Sequence, residues 1–289
     1  MHIILGGTGH IGSALAGLLS VRGEEVTIIT RSADKARRWR EKGVQASVAD
    51  VHDTASLRSI FRRGRKLFLL NPPADPATDT DVEEQRSLDA IMEALEESGL
   101  EKVVAESTYG AQACEHCGDL GILHSMELRL AAKGIPFSIL RGAYYMSNWD
   151  AALEMARDGG VVQSFYPADF ALPMVAPRDI AKVAALRMTA PVGEQGTWHV
   201  EGPEPYTAGD VAAAFAHALD REVRVEVVPR EQWQSTFRRA GFSQPAAESY
   251  AKMTALTLDQ HYTVPGEPVR GQTTLKQYIS DLVWKGQGS

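Results

Sequence analysis

Three things are scarce in these 289 residues: cysteine, long apolar runs and any surplus of positive charge. Lysine and arginine number 30 against 37 acidic residues, a formal charge of −7. A nucleic-acid backbone needs a basic face, so no direct nucleic-acid partner is expected. Two cysteines cannot staple a secreted disulfide scaffold. No stretch approaches the roughly 20 apolar residues of a membrane span. The opening Met1-His2-Ile3-Ile4-Leu5-Gly6 has neither the basic segment nor the small-residue cleavage site of a secretory leader. The expectation is a cytoplasmic protein with no membrane insertion. What is present, 44% hydrophobic and 23% charged residues, suffices for one full α/β domain and a smaller lobe.

Through the first half, β-rich runs alternate with amphipathic stretches. Strands are predicted at His2–Leu5, Glu25–Thr30, Ala46–Ala49, Lys66–Leu70, Lys102–Ala105 and Phe137–Leu140. Helices are predicted to begin near Gly12, Asp34, Thr54, Val82 and Leu120. Ile3-Ile4-Leu5 and Leu67-Phe68-Leu69-Leu70 are unbroken apolar runs, as in strands buried on both faces. This alternation specifies an α/β fold, a Rossmann doubly wound parallel sheet with its ligand crevice at the strands' carboxyl ends. After Arg141 the rhythm breaks at Gly159-Gly160, Pro167, Pro173 and Pro177. Further helices are read at Arg178–Met188, from a Thr207 cap to Leu219, and near Glu231–Ala240, Ala246–Leu258 and Thr273–Trp284. Strands are read near Thr197–Val200 and at Arg224–Val228. Residues 1–141 with about 170–192 are assigned to the Rossmann domain, and 142–169 with 193–289 to a smaller C-terminal α/β substrate lobe.

The turn Gly6-Gly7-Thr8-Gly9-His10-Ile11-Gly12 satisfies two spacings. Gly7, Gly9 and Gly12 make G-x-G-x-x-G, and Gly6, Gly9 and Gly12 make the G-x-x-G-x-x-G of short-chain dehydrogenases. It follows an apolar strand and opens a helix carrying Ile11, Leu15, Leu18 and Leu19, the context in which backbone N–H groups receive a pyrophosphate. Gly6, Thr8, Gly9, His10, Ile11 and Gly12 are therefore assigned to a dinucleotide. Where NAD-binding domains place an acid for the ribose 2′-OH, this chain has Arg31, with Lys35 one turn on. Two cations there suit the 2′-phosphate of NADP(H), the alternative being ordinary solvated charges. Asp50, ending the third strand, is either the acceptor for the adenine amino group or a cap for the helix from Thr54. Asn71 and Pro72, after the fourth strand, are assigned to the same groove.

Many short-chain dehydrogenases move a proton with a Tyr-x-x-x-Lys pair. The eight tyrosines are followed four residues on by Ala113, Asn148, Trp149, Phe170, Asp210, Thr254, Gly266 and Leu282, none of them lysine. With that pair missing, the chain resembles the NmrA-like family of atypical short-chain dehydrogenases. The resemblance is carried by Gly6–Gly12, Thr30-Arg31 with Lys35, Val48-Ala49-Asp50, Lys102–Gly110 and His124–Glu127. It continues through Gly134–Arg141, Tyr144–Asn148, Ala176–Ala181 and Gly202-Pro203-Glu204. It implies a Rossmann domain, NADP(H) and a cleft roofed by the C-terminal lobe. The family holds NADPH-dependent quinone reductases, triphenylmethane-type and phenylpropanoid reductases, and regulators that sense NADP(H) without turnover.

Within that resemblance, His124 stands where phenylpropanoid reductases carry a lysine, as in the quinone-reductase branch. It is a candidate for orienting the nicotinamide ribose or donating a proton, against a plain helix histidine. Thr108 and Tyr109 are expected at the nicotinamide end, with Tyr109 a catalytic candidate. Asn148 matches the family's asparagine beside nicotinamide and substrate, where its amide would meet an acceptor carbonyl. Tyr144, assigned to the cofactor groove, would join Tyr145 and Trp149 in an aromatic wall, the alternative being core packing. Cys114-Glu115-His116-Cys117 lacks the second pair of a zinc site and is read as adventitious loop cysteines, with no metal. Two functions stay open: an NADPH-dependent oxidoreductase acting on a quinone-like small molecule, and an NADP(H)-sensing regulator. The sequence leaves room for a homodimer.

Overall fold

His2-Ile3-Ile4 lies between two other strands and is buried on both faces, which is why three residues suffice for a strand. The computed structural model describes residues 1–260, 262 and 264–286. In its first half strands and helices alternate as expected. They are β1 (His2–Ile4), α1 (His10–Val21), β2 (Val26–Thr30), α2 (Ala33–Glu41), β3 (Gln45–Val48) and α3 (Thr54–Phe61). There follow β4 (Lys66–Leu69), α4 (Thr80–Ala94), β5 (Lys102–Thr108), α5 (Asp119–Ala132) and β6 (Phe137–Gly142). Ser32, Asp53 and Asp79 cap α2, α3 and α4 by accepting a backbone N–H three residues on.

The second half runs β7 (Tyr144–Tyr145), α6 (Leu153–Gly159), β8 (Val161–Ser164), β9 (Leu172–Val175), α7 (Pro177–Thr189) and β10 (Gly196–Glu201). It continues with β11 (Pro205–Tyr206), α8 (Ala208–Leu219), β12 (Arg224–Val227), α9 (Trp233–Arg239), α10 (Gln244–Asp259), β13 (Val269–Arg270) and α11 (Leu275–Gly286). Thr207 and Asp210 form a reciprocal capping box at the start of α8.

The main sheet has the order β13-β10-β6-β5-β4-β1-β2-β3, every pair parallel. Its direction of growth reverses between β1 and β4, so a crevice opens there beyond the strand ends. Separate apolar clusters fill the two faces: Phe61, Leu67, Leu88 and Met126 on one, Leu15, Ile28, Phe68 and Ile180 on the other.

Two sequence expectations change. The strand around Thr197–Val200, assigned to the smaller lobe, pairs with β6 from Gly196↔Ser138 to Val200↔Gly142 and extends the main sheet. An isolated strand carries no label for the sheet it joins, and in the main sheet Val200 is buried in the cluster on one face. β5 and β6 also run further than their apolar stretches, to Thr108↔Gly142. Their polar ends are satisfied inside: Ser107 Oγ donates to Glu127 Oε1 at 2.5 Å, and Arg141 holds both oxygens of that carboxylate at 2.9 and 2.6 Å.

α7 packs on one sheet face beside α1 and β13 closes the sheet edge, while most of the remaining second half packs over the carboxyl edge of the sheet. Met146, Trp149, Phe215 and Ile279 centre one cluster, and Phe165, Trp233, Phe237, Phe242 and Tyr250 make another. Among the described residues no helix is long and apolar enough to cross a membrane.

Candidate active site

The chain leaves β1 through Gly6, whose φ of +72° is a conformation side chains resist, and turns into α1 at Gly9. A Cβ on Gly12 would stand 2.3 Å from the Gly6 carbonyl oxygen, and one on Gly7 2.5 Å from Ile28 Cβ. The turn is thus folded tightly upon α1 and β2, with the first N–H groups of α1 at the mouth of a cleft of about 920 Å³. Gly6, Thr8, Gly9, His10, Ile11 and Gly12 all line that cleft.

At the end of β2, Arg31 and Lys35 also line the cleft and are exposed. Neither has an ion-pair partner among the described residues. Asp50 does not line it. Its Oδ1 accepts the His52 N–H at 2.9 Å, closing a local turn, while Asp53 takes the cap of α3. The cap reading of Asp50 is thus corrected, and Ala49 and Val51 on either side of it line the groove.

After β4, Asn71, Pro72 and Pro73 form the opposite lip. Asn71 Nδ2 donates to the Glu84 carbonyl at 3.1 Å, and the Ala74 N–H donates to Glu84 Oε1 at 3.0 Å. Burial pushes the Glu84 carboxyl well up, and the nearby Asp119 carboxylate pushes the same way.

The far end is aromatic. Tyr144, Tyr145, Phe165, Tyr166, Phe237 and Phe242 line it, with Tyr250 and Met253 of α10 beside them. Phe165 stacks on Phe237 at 4.4 Å between centroids, and Tyr144 meets Tyr166 edge-on at 5.9 Å. Asn148 lines the cleft and is exposed. Burial pushes the Tyr144 phenol up to about 12 against the pull of a hydrogen bond with Asn148. Glu106, which the sequence reading passed over, lies at the floor, almost completely buried. Its signal was available, an acid directly after Val103-Val104-Ala105 in a strand with both faces covered.

Four expected residues lie elsewhere. Tyr109 donates its hydroxyl to Glu201 Oε1 at 3.0 Å and lines a separate cavity of about 190 Å³ with Arg141 and His199. Thr108 continues β5 and lines neither cavity. His124 is half-buried on α5, where the adjacent Leu123 faces the cleft and the helical turn carries His124 away. Trp149 is buried behind Tyr144 as core, so the wall retains the two tyrosines without it.

Cys114 and Cys117, expected to be adventitious loop cysteines, are bonded to each other. The loop between β5 and α5 is folded back so closely that a Cβ on Gly121 would meet the Cys114 carbonyl at 2.3 Å. Among the described residues no cluster of histidine, cysteine and acid could hold a metal. The bond closes a very short loop, so Cys114→Ser/Cys117→Ser should cost no more than about 2 kcal/mol in urea unfolding. Dinucleotide affinity should stay within twofold, and a larger loss in titration would tie the loop to the cleft.

A model of the NmrA-like family matches residues 2–281. An NAD(P)H azoreductase from Xenophilus azovorans is 25% identical over 279 residues, covering 93% of this chain and 94% of that protein. The structure of triphenylmethane reductase from Citrobacter sp. complexed with NADP(H) is similar, with a TM-score of 0.79 at 18% identity over 97% of this chain and 99% of that one. An NADPH-dependent quinone oxidoreductase from Escherichia coli complexed with NADPH gives 0.75 at 21% identity, over 98% and 99%.

Proposed function

The chain belongs to the NmrA-like family, and from that premise we propose that it is an NADPH-dependent oxidoreductase reducing a quinone or another flat conjugated acceptor. One observation carries the reading. A single cleft joins the glycine turn and two cations without ion-pair partners among the described residues at one end to an aromatic chamber at the other. The names of its relatives, an NAD(P)H azoreductase and a quinone oxidoreductase, agree with that division of labour.

The residues fit the cofactor. Gly12, lacking a Cβ, lets the Gly6–Gly7 backbone close onto α1, the start of α1 offers N–H groups to the pyrophosphate, and Arg31 with Lys35 suits a 2′-phosphate. When bound, NADPH supplies the hydride. The chain's own part is placement and exclusion of water. Tyr144, Phe165, Tyr166 and Phe237 offer ring faces to a flat acceptor, and the Asn148 amide, hydrogen-bonded to the Tyr144 hydroxyl, has a second N–H to donate to its carbonyl. His10 Nε2 lies 3.7 Å from Asp150 Oδ2, a tie between the glycine turn and the lobe over it.

Purified protein should oxidise NADPH when given quinones. Asn148→Ala should lower turnover about tenfold, the worth of one hydrogen bond to a developing charge, with NADPH affinity within twofold. Tyr109→Phe and His124→Ala, outside the cleft, should stay within twofold of wild type in both. No turnover across quinone and aromatic-dye panels, with cofactor binding intact, would replace this reading by the NADP(H)-sensing regulator.

A further inference from the structure

A carboxyl in the middle of a parallel sheet is costly unless something compensates it. Glu106 has a relative exposure of 3% and no ion pair among the described residues. Its Oε1 accepts the Tyr145 hydroxyl at 2.7 Å, while its Oε2 is buried and unpartnered. Both side chains line the aromatic end of the cleft. The packing around the carboxyl is otherwise neutral: Gly142 of β6, whose Cβ would lie 3.0 Å from Oε1, and Ile180 of α7, which meets that same spot. Tyr145 is the titratable group in contact. Asp119 of α5, also lining the cleft, acts on the Tyr145 hydroxyl.

We propose that Glu106, held in place by the Tyr145 hydroxyl, donates the proton that completes reduction of the acceptor, in the role a tyrosine–lysine pair fills elsewhere. The proposal rests on the reductase reading above. Burial pushes the Glu106 carboxyl up to about 8, with the Tyr145 hydrogen bond pulling the other way. At neutral pH the group is the acid, and its unpartnered oxygen carries a proton with no acceptor among the described residues. The acceptor gains two electrons with the hydride from NADPH, which becomes NADP⁺. The O–H bond of Glu106 then breaks as a new O–H bond forms on the acceptor. The carboxylate left behind keeps its hydrogen bond from Tyr145, and a solvent proton restores the acid. The balance is NADPH, a proton and a quinone giving NADP⁺ and a hydroquinone.

The test needs binding as well as turnover. The nicotinamide ring is positive in NADP⁺ and neutral in NADPH, so a carboxylate beside it favours NADP⁺ alone. In calorimetric titrations from pH 6 to 9, NADP⁺ affinity should rise about fivefold or more relative to NADPH as Glu106 ionises. Glu106→Gln should erase that difference, keep NADPH affinity within threefold, and lower quinone turnover by about 10²-fold or more. Tyr145→Phe removes a donor to the carboxylate. The falling alkaline limb of turnover should therefore move to higher pH. Parallel pH dependence of the two cofactors in wild type, or at least half of wild-type turnover in Glu106→Gln, overturns the proposal. Absence of turnover in wild type overturns the reductase reading and the donor role with it. That failure is recognised by cofactor affinities that still diverge with pH.

Discussion

Arg31→Glu should raise the Kd for NADPH at least 100-fold and leave that for NADH within threefold. Arg31 and Lys35 stand exposed on one rim of the cleft without ion-pair partners among the described residues, so neither must be released from another contact to bind a phosphate. Each charge-assisted contact is worth about 1.5–3 kcal/mol, a factor of roughly 10 to 150. The substitution removes one contact and sets a carboxylate against the phosphate dianion. NADH carries a hydroxyl there and loses little. Lys35→Ala should fall between, at about tenfold. Calorimetry with both cofactors decides the matter, and equal affinity of the wild-type protein for NADPH and NADH would end the assignment.

Gly12→Ala should abolish measurable binding of either cofactor and destabilise the fold by about 1–3 kcal/mol, the cost of forcing a methyl group into a packed site. The added Cβ would lie 2.3 Å from the Gly6 carbonyl oxygen and 2.9 Å from Gly7 Cα. Both are backbone atoms of the turn, so relief requires the turn to open and its N–H groups to leave the groove. Gly17 supplies the internal comparison. It lies on the same helix, and beyond that helix's own local backbone nothing comes within 4 Å of where its Cβ would stand. Gly17→Ala should leave cofactor binding unchanged and stabilise by about 0.5–1 kcal/mol through helix propensity. Urea unfolding and cofactor titration of the two variants separate a steric effect on the turn from a general effect of removing a glycine. Similar binding by both would mean that the close approach at Gly12 does not govern the groove.

Local order settled what the sequence by itself determined about this protein. The double glycine spacing, the unbroken apolar strands and the Ser, Thr and Asp caps depend on residues a few positions apart, so the parallel sheet and the site of its crevice were legible. The cations at Arg31 and Lys35 were legible for the same reason, because strand and helix lengths carry them to the rim. What the tertiary structure alone decided involves partners far along the chain. β10 joins β6 across 58 residues, from Gly196 to Ser138, because edge-to-edge pairing leaves no trace in either strand's pattern. Phe165, Phe237, Phe242 and Tyr250 come from separate elements, and their shared chamber exists only once α9 and α10 fold over the sheet edge. Tyr109 looked catalytic by position, but Glu201, 92 residues on, takes its hydroxyl outside the cleft. Glu106 drew no expectation from the sequence, and burial and Tyr145 give it a distinct environment. Backbone geometry follows from neighbours in sequence. A side chain's chemistry follows from what surrounds it in space, because desolvation and a single hydrogen bond set its proton affinity.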